Sequence, residues 1–227
     1  MTLSFLNFPI IFLISSGFTF LILKFLYLHF KFLIKEPNGP QTIHIGSVSR
    51  FGGLAVFLTL FVIIFLDLVD LEKAYLYLLI SIPVFSVGFL EDITQSVRPK
   101  YRLIGAFVSG VLFIISFDVL ISRTGIELSN LILEIKIIAV LFTLICIIYS
   151  TQAYNIIDGL NGLALISSIL SFVAISFISF NVNDYLTFNL SMTLVFILLG
   201  VLVFNFPFGK IFIGDAGAYL IGLFIAV

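Results

Sequence analysis

Eight long apolar runs, separated by short polar segments, divide this chain from end to end. Of its 227 residues 61% are hydrophobic and 10% charged, whereas a soluble domain carries about a quarter charged residues. No water-soluble fold could bury so much Phe, Ile and Leu, and roughly 20 apolar residues suffice to span a bilayer as a helix. We therefore predict an all-α, polytopic membrane protein with about eight transmembrane helices. The predicted spans are Leu3–Leu23, Phe51–Leu66, Ala74–Leu90, Leu103–Val119, Ile137–Tyr149, Leu163–Phe180, Tyr185–Phe204 and an eighth that starts near Ala216.

The two ends of the chain bear on its organisation. The N-terminus lacks both a basic n-region and a small-residue cleavage site, which predicts a retained first span and not a cleaved signal peptide. The last run, from Ala216 to Val227, would rise only about 18 Å as a helix, short of a hydrocarbon core of about 30 Å. We expect one transmembrane domain over residues 1–227, incomplete at its C-terminus. The net charge of −1, without a basic patch or tail, argues against a nucleic-acid partner.

Basic residues are distributed unequally between the two sides that alternating spans define. Eight lie in or beside the segments that follow spans one, three, five and seven: Lys24, Lys31, Lys35, Arg50, Arg98, Lys100, Arg102 and Lys210. The other side has three: Lys73, Arg123 and Lys136. Because Lys and Arg are enriched in cytoplasmic loops, the first side is predicted to be cytoplasmic and the N-terminus to lie outside.

Four unusual polar clusters fall on the predicted cytoplasmic side. They are Arg50-Phe51-Gly52-Gly53, Glu91-Asp92, the stretch from Asn155 to Asn161, and Gly214-Asp215. If the stretch Thr151–Ala164 is helical, its three-residue spacing stacks Asn155, Asp158 and Asn161 on one face. The alternative interpretation is a helix–loop–helix corner with solvated polar residues. Four polar clusters on one membrane face favour an active site, because solvated corners would not be expected to sort in this way.

The side chains of these clusters suit phosphoryl transfer. They offer four carboxylates without a His or Cys cluster nearby, and oxygen-only ligands favour a hard cation such as Mg²⁺. The basic residues on the same side would neutralise phosphate oxygens. Gly214 and Gly217 flank Asp215 and would let the N-terminus of the last helix approach a phosphate. Transfer from a water-soluble nucleotide diphosphate to a lipid-borne acceptor fits this set of residues.

Four sequence blocks carry a resemblance to a known family. In order they are HIGSVSRFGGLAVF, GFLEDITQSVRPKYRL, AYNIIDGLNGLA and FNFPFGKIFIGDAGAYLIG. With these blocks the chain resembles the polyprenyl-phosphate N-acetylhexosamine-1-phosphate transferases (glycosyltransferase family 4), which include phospho-MurNAc-pentapeptide translocase. The resemblance implies transfer of a sugar 1-phosphate from a UDP-N-acetylhexosamine to undecaprenyl phosphate, with release of UMP. It implies Mg²⁺ as the cofactor, with Mn²⁺ as a substitute, and a site on the cytoplasmic face of the bacterial inner membrane.

The resemblance also implies roles for individual residues. Asp215 would be the metal ligand. Asp92, with Glu91, would face the lipid phosphate and deprotonate or position it, and Asp158 would act near the diphosphate. The residues assigned to substrate binding are His44, Arg50, Asn155, Gly159, Leu160, Asn161, Lys210 and Phe212. For Arg50 and Lys210 the alternative role is that of a positive-inside anchor.

The chain departs from the family pattern in three places. Glu91-Asp92 stands where the family usually has two aspartates, and glutamate reaches one methylene further. The segment SVSRFGG replaces a TPTMGG-like block, and Asn161 stands where the pentapeptide-translocase branch tends to have Asp, which together favour the hexosamine branch. The histidine-rich loop expected further along the family's sequences is not found in this chain. One alternative function is therefore that of an inactive truncated family member. A second is that of a membrane transporter with an interfacial acidic site. Assembly as a homodimer is a further possibility that the sequence leaves open.

Overall fold

The computed structural model describes residues 7–29 and 48–227, and their regular structure is helical. Within these ranges the helices are α1 (Phe8–His29), α2 (Gly52–Phe65), α3 (Ala74–Thr94), α4 (Pro99–Phe117), α5 (Glu127–Leu133), α6 (Lys136–Ile157), α7 (Leu163–Asn181), α8 (Tyr185–Asn205) and α9 (Gly214–Ala226). An isolated parallel bridge pairs Ser49 with Ile211. The predicted all-α class is confirmed.

Helix length supports six of the eight predicted membrane spans. Six of the described helices, α1, α3, α4, α6, α7 and α8, are long and apolar enough to cross a membrane. The apolar helices α2 and α9 have 14 and 13 residues, a rise of only about 20 Å each. The seven-residue α5, in the polar segment after α4, was not predicted. The chain is thus a polytopic helical membrane protein with two shorter apolar helices.

The stretch between α6 and α7 corrects one of the sequence interpretations. Helix α6 continues past the predicted end of its apolar run and stops at Ile157, with Asp158 as its C-cap. A turn follows and ends at Gly162, whose φ of 78° lies in the left-handed region. Asn155 is therefore helical while Asn161 lies in the turn, and the three polar side chains do not stack along one helix. Of the two interpretations, the helix–loop–helix corner describes the backbone.

Helix α9 lies inside the bundle. From Gly214 to Phe224 every residue except Asp215 is buried, and the helix packs against α2, α3 and α6. Helix α8 packs against α1 and α7. On the outer helices, large apolar side chains such as Phe65, Ile115 and Phe177 are at least 70% exposed, as expected for side chains that face lipid. Helix α9 is thus surrounded by protein.

Two glycines allow α2 and α3 to approach the backbone of α9. A Cβ added at Gly53 would lie 2.2 Å from the backbone nitrogen of Gly217, and one at Gly88 would lie 2.6 Å from the backbone of Ala216. Small residues at helix contacts permit this close approach in membrane proteins. The start of α9 is therefore held against the first turn of α2 and the last turns of α3.

We expect Gly53→Ala to destabilise the bundle by about 1–3 kcal/mol, because the added methyl group must displace the backbone of Gly217. Gly17→Ala is the matched control, since Gly17 is also in an apolar helix but a Cβ there meets nothing within 4 Å. The control should be neutral, or more stable by up to about 1 kcal/mol from helix propensity. Thermal unfolding in detergent measures both variants. Equal midpoints would contradict the tight α2–α9 contact.

Candidate active site

Carboxylates from distant parts of the chain cap the N-terminus of α9. The first N–H groups of a helix lack intrahelical acceptors, and the N-cap residue of α9 makes no side-chain capping bond. Asp158 Oδ2 accepts a hydrogen bond from the N–H of Gly214 at 3.1 Å. The two oxygens of Asp92 accept from the N–H groups of Asp215 at 2.8 Å and Ala216 at 3.0 Å. These bonds tie the end of α3 and the turn after α6 to the start of α9. The helix dipole also favours negative charge at this end of α9.

Gly214 is the most crowded position of the site. Its φ of 71° lies in the left-handed region, which glycine adopts without steric cost. A Cβ at this position would lie 2.1 Å from the carbonyl oxygen of Arg50 and 2.8 Å from both carboxylate oxygens of Asp92. A glycine is therefore required for the carboxylate to reach the helix backbone.

Arg102 joins the acidic side chains of α3 and α9. Its Nη2 donates to Glu91 Oε1 at 2.5 Å and its Nη1 to Asp215 Oδ2 at 3.3 Å. The same guanidinium donates to the carbonyl of Val97, whose N–H donates in turn to Glu91 Oε2 at 2.8 Å. The side chains of Arg102, Glu91 and Asp215 are 22%, 12% and 16% exposed. One positive charge thus bridges two carboxylates that are largely shielded from solvent, which leaves a net charge of −1, and it fixes the α3–α4 turn.

Asp158 lies in the turn after α6 and is partly buried. Desolvation of its carboxyl group, assisted by the nearby charge of Asp215, raises the pKa of Asp158 to about 7. The N–H of Gly214 and the charge of Arg50 act in the opposite direction on this pKa. Burial thus favours the protonated form of Asp158, whereas a cation beside it would favour the ionised form.

An extended segment before α2 brings Arg50 to the site. Phe212 donates its N–H to the carbonyl of Ser49 at 2.7 Å and accepts from the N–H of Gly52 at 3.0 Å. These bonds align the segment before α2 with the segment before α9. As a result, the carbonyl of Arg50 lies directly against Gly214.

Asn205, the last residue of α8, holds two loops together. Its Nδ2 donates to the carbonyl of Ile211 at 2.6 Å, and its Oδ1 accepts from the N–H of Gly162 at 2.6 Å. The residue is 2% exposed, so both backbone groups depend on this one amide. Asn205 therefore joins the turn after α6 to the segment that leads into α9.

We expect Asn205→Ala to lower stability by about 2 kcal/mol or more, because two buried backbone groups lose their partners. Asn181→Ala is a matched control: the Asn181 amide donates to the carbonyl of Phe177 at 2.7 Å, but on the exposed surface. Its loss should cost less than about 0.5 kcal/mol. Chemical or thermal unfolding of the two variants distinguishes them, and similar losses would argue against the bridging role of Asn205.

The acids predicted as catalytic or metal-binding come together in the structure. Glu91, Asp92, Asp158 and Asp215 all lie in the network around the start of α9. One expectation about this helix is wrong: its first N–H groups are already bonded to Asp92 and Asp158, so they are not available to a phosphate. Arg102 was expected only among phosphate contacts, and Asn205 was not singled out from the sequence. The signal for Asn205 was an amide at the very end of a long apolar run, a costly place for an unpartnered polar group.

The residues predicted to bind substrate are more widely spread. Gly159 and Leu160 are exposed in the turn after α6, and Asn155 is partly buried within α6 itself. Lys210 is exposed in the segment after α8. His44 lies outside the described residues.

Asn161 and Phe212 lie on opposite sides of the Asn205 link. The amide of Asn161 lies against Gly209, where an added Cβ would be 2.7 Å from Nδ2. Phe212 is half-buried and uses its backbone to align the two segments described above.

The oxygen ligands available for a metal come from two of the acids. The described residues contain no ready-made group of three His, Cys, Asp or Glu side chains for a metal ion. Asp92 and Glu91 use both carboxylate oxygens in the hydrogen bonds above, whereas Asp158 and Asp215 each show a described hydrogen bond to Oδ2 alone. Mg²⁺ usually takes one or two carboxylates and completes its shell with water and substrate phosphates. The pair Asp158 and Asp215 therefore fits Mg²⁺ that is shared with a phosphate substrate.

The fold and the site define a polytopic helical membrane protein with an acidic cluster at the ends of its helices. A family model described as "Glycosyl transferase family 4" matches residues 74–227, about two thirds of the chain. The chain belongs to that family, as the resemblance of its sequence blocks predicted.

Similar curated proteins are phospho-N-acetylmuramoyl-pentapeptide-transferases of streptococci. The protein of Streptococcus thermophilus (strain CNRZ 1066) is 29% identical over 148 residues, which cover 62% of this chain and 44% of the relative. That of Streptococcus sanguinis (strain SK36) is 28% identical over 147 residues, covering 62% and 45%. The matched region thus spans less than half the length of these relatives.

Proposed function

We propose that this protein transfers N-acetylhexosamine 1-phosphate from a UDP-sugar to undecaprenyl phosphate and releases UMP. The observation that carries the proposal is the convergence of four carboxylates, from α3, α9 and the turn after α6, around the start of α9. Membership of the family supports it, because phosphoryl transfer depends mainly on positioning and charge neutralisation. The lipid product would start a cell-envelope glycan such as a lipopolysaccharide, teichoic acid or O-antigen.

Mg²⁺, or Mn²⁺ in its place, would be held by Asp215 together with Asp158. When bound, the cation would neutralise the diphosphate oxygens of the UDP-sugar. Asp92 supports this arrangement, because its two bonds to the backbone of α9 fix the first turn of the helix, from which the Asp215 side chain projects. Arg102 holds Glu91 beside the site and balances the charge of Asp215.

The proposed reaction exchanges one phosphate bond for another. An oxygen of the lipid phosphate forms a bond to the sugar-bearing phosphorus, while the bond from that phosphorus to the UMP oxygen breaks and UMP leaves with the electron pair. The second pKa of a phosphate monoester is near 6, so the acceptor is largely ionised at neutral pH. Glu91 and Asp92 would therefore position the acceptor indirectly, by fixing Arg102 and the start of α9. The remaining contacts, to phosphate or nucleotide, would come from His44, Arg50, Asn155, Gly159, Leu160, Asn161, Lys210 and Phe212.

In the proposed topology α2 and α9 complete eight spans in the bacterial cytoplasmic membrane, the N-terminus lies outside and the acids face the cytoplasm. The unequal distribution of basic residues supports this orientation. In a Cys146→Ser background, an impermeant thiol reagent applied to intact cells should label Lys73→Cys but not Lys210→Cys. The reverse pattern would place the acids on the outer face.

The reaction can be tested with a UDP-sugar labelled in the sugar-bearing phosphate. Membranes that contain the protein and undecaprenyl phosphate should move the label into lipid and release unlabelled UMP, and EDTA should abolish both. Binding of the UDP-sugar without release of UMP would instead indicate an inactive family member. A transporter would need its acids near the middle of the membrane, whereas Glu91 and Asp92 lie in the last turn of α3 and Asp215 in the first turn of α9.

A further inference from the structure

A groove between α1 and the end of α8 lies apart from the acidic cluster. It encloses about 430 Å³, within the range of small-molecule sites. Its described lining consists of Phe20, Leu23, Lys24, Tyr27, Phe204 and Lys210. None of these residues belongs to α3, α4 or α9, and Lys210 alone is also among the residues proposed to contact substrate.

One face of α1 forms the first wall of the groove. Phe20, Leu23, Lys24 and Tyr27 recur at the spacing that places side chains together on a helix. Phe20 is 53% and Tyr27 58% exposed, although α1 is a membrane-spanning helix. This wall is thus apolar, with an ammonium group and a phenol towards its C-terminal end.

The end of α8 and the turn that follows it form the opposite wall of the groove. The N–H of Lys210 donates to the carbonyl of Phe204 at 3.1 Å, which folds Lys210 back over the end of the helix. Its Nζ lies 5.2 Å from the centroid of the Phe208 ring. Both Lys24 and Lys210 are exposed, and among the described residues neither forms an ion pair with a carboxylate.

Two ammonium groups above an apolar groove between membrane helices are complementary to one class of ligand. The ligand must carry negative charge at the membrane surface and hydrocarbon below it, and the aliphatic stems of lysines extend along such apolar surfaces. We propose that the groove binds an anionic glycerophospholipid. Its headgroup phosphate lies at Lys24 and Lys210, and the upper part of one acyl chain packs against Phe20, Leu23 and Phe204. The bound lipid joins α1 to α8 and is distinct from the lipid acceptor of the proposed reaction.

Native mass spectrometry of the purified protein tests this site with phosphatidylglycerol and phosphatidylcholine of identical acyl chains. We expect retention of phosphatidylglycerol and little of phosphatidylcholine. The double variant Lys24→Gln/Lys210→Gln should bind phosphatidylglycerol about 25-fold more weakly, from roughly fivefold per lysine. Lys73→Gln/Lys136→Gln is the matched control and should bind as the unaltered protein does.

Three outcomes would overturn the proposal: equal retention of the two lipids, undiminished binding by the Lys24/Lys210 double variant, or displacement of the lipid by millimolar inorganic phosphate. Undecaprenyl phosphate that displaces phosphatidylglycerol at equal concentration would assign the groove to the acceptor and also overturn it. Binding is measured without turnover, so none of the first three results affects the proposed transferase reaction.

Discussion

Asp215→Asn should reduce UMP release by about a thousandfold or more, the scale expected when a group that stabilises the reacting charge is lost. Asparagine has the size of aspartate but lacks the charge proposed to hold the cation. The fold should persist, because the backbone N–H of residue 215 still donates to Asp92 and the asparagine oxygen can still accept the bond from Arg102. Release of UMP from a UDP-sugar by membranes that contain undecaprenyl phosphate measures the effect.

Asp184→Asn provides the control for a lost negative charge. Asp184 caps α8 by accepting from the N–H of Thr187 at 3.1 Å, and an asparagine oxygen can accept the same bond. This variant should retain full activity. Wild-type turnover by Asp215→Asn would remove Asp215 from the reaction.

We expect the second large effect, a loss of stability, from substitution of Arg102. Arg102→Gln leaves Glu91, whose side chain is 12% exposed, without its cationic partner. Removing one member of a fully buried ion pair costs about 3–5 kcal/mol. Because the Arg102 side chain is 22% exposed, solvent screens part of this loss and we expect about 2 kcal/mol.

A double-mutant cycle tests whether that loss comes from the unpaired carboxylate. Glu91→Gln/Arg102→Gln removes both charges, so its loss of stability should be clearly smaller than the sum of the two single losses. Thermal unfolding in detergent supplies all four values. Strict additivity would show that Arg102 stabilises the fold by some other contact.

The helices were predictable where hydrophobicity alone decides the structure. The starts at Ala74, Leu163 and Tyr185 agree with the predicted spans, because each follows a polar break and opens a long apolar run. The ends were less predictable: α6 continues to Ile157 through polar residues, since backbone hydrogen bonds of a helix do not require apolar side chains. An apolar run does not reveal whether its helix is enclosed by protein, as α9 is, or faces lipid.

The acids that meet at the start of α9 could be named from the sequence, but their contacts could not. Composition and the family blocks pointed to Asp92, Asp158 and Asp215. Asp92 caps α9 from a position 123 residues away in the sequence, and Arg102 contacts Asp215 from 113 residues away. Both contacts depend on tertiary packing, which no local pattern encodes. The same holds for the link that Asn205 makes to Gly162.

Acids that are distant in sequence are proposed to form one cation site. Mn²⁺ binding to the purified protein in the presence of a UDP-sugar, followed by electron paramagnetic resonance, tests it most directly. We predict one bound Mn²⁺ in the unaltered protein and in Asp184→Asn, and its loss in both Asp158→Asn and Asp215→Asn. Equal Mn²⁺ binding by all four proteins would contradict a shared site.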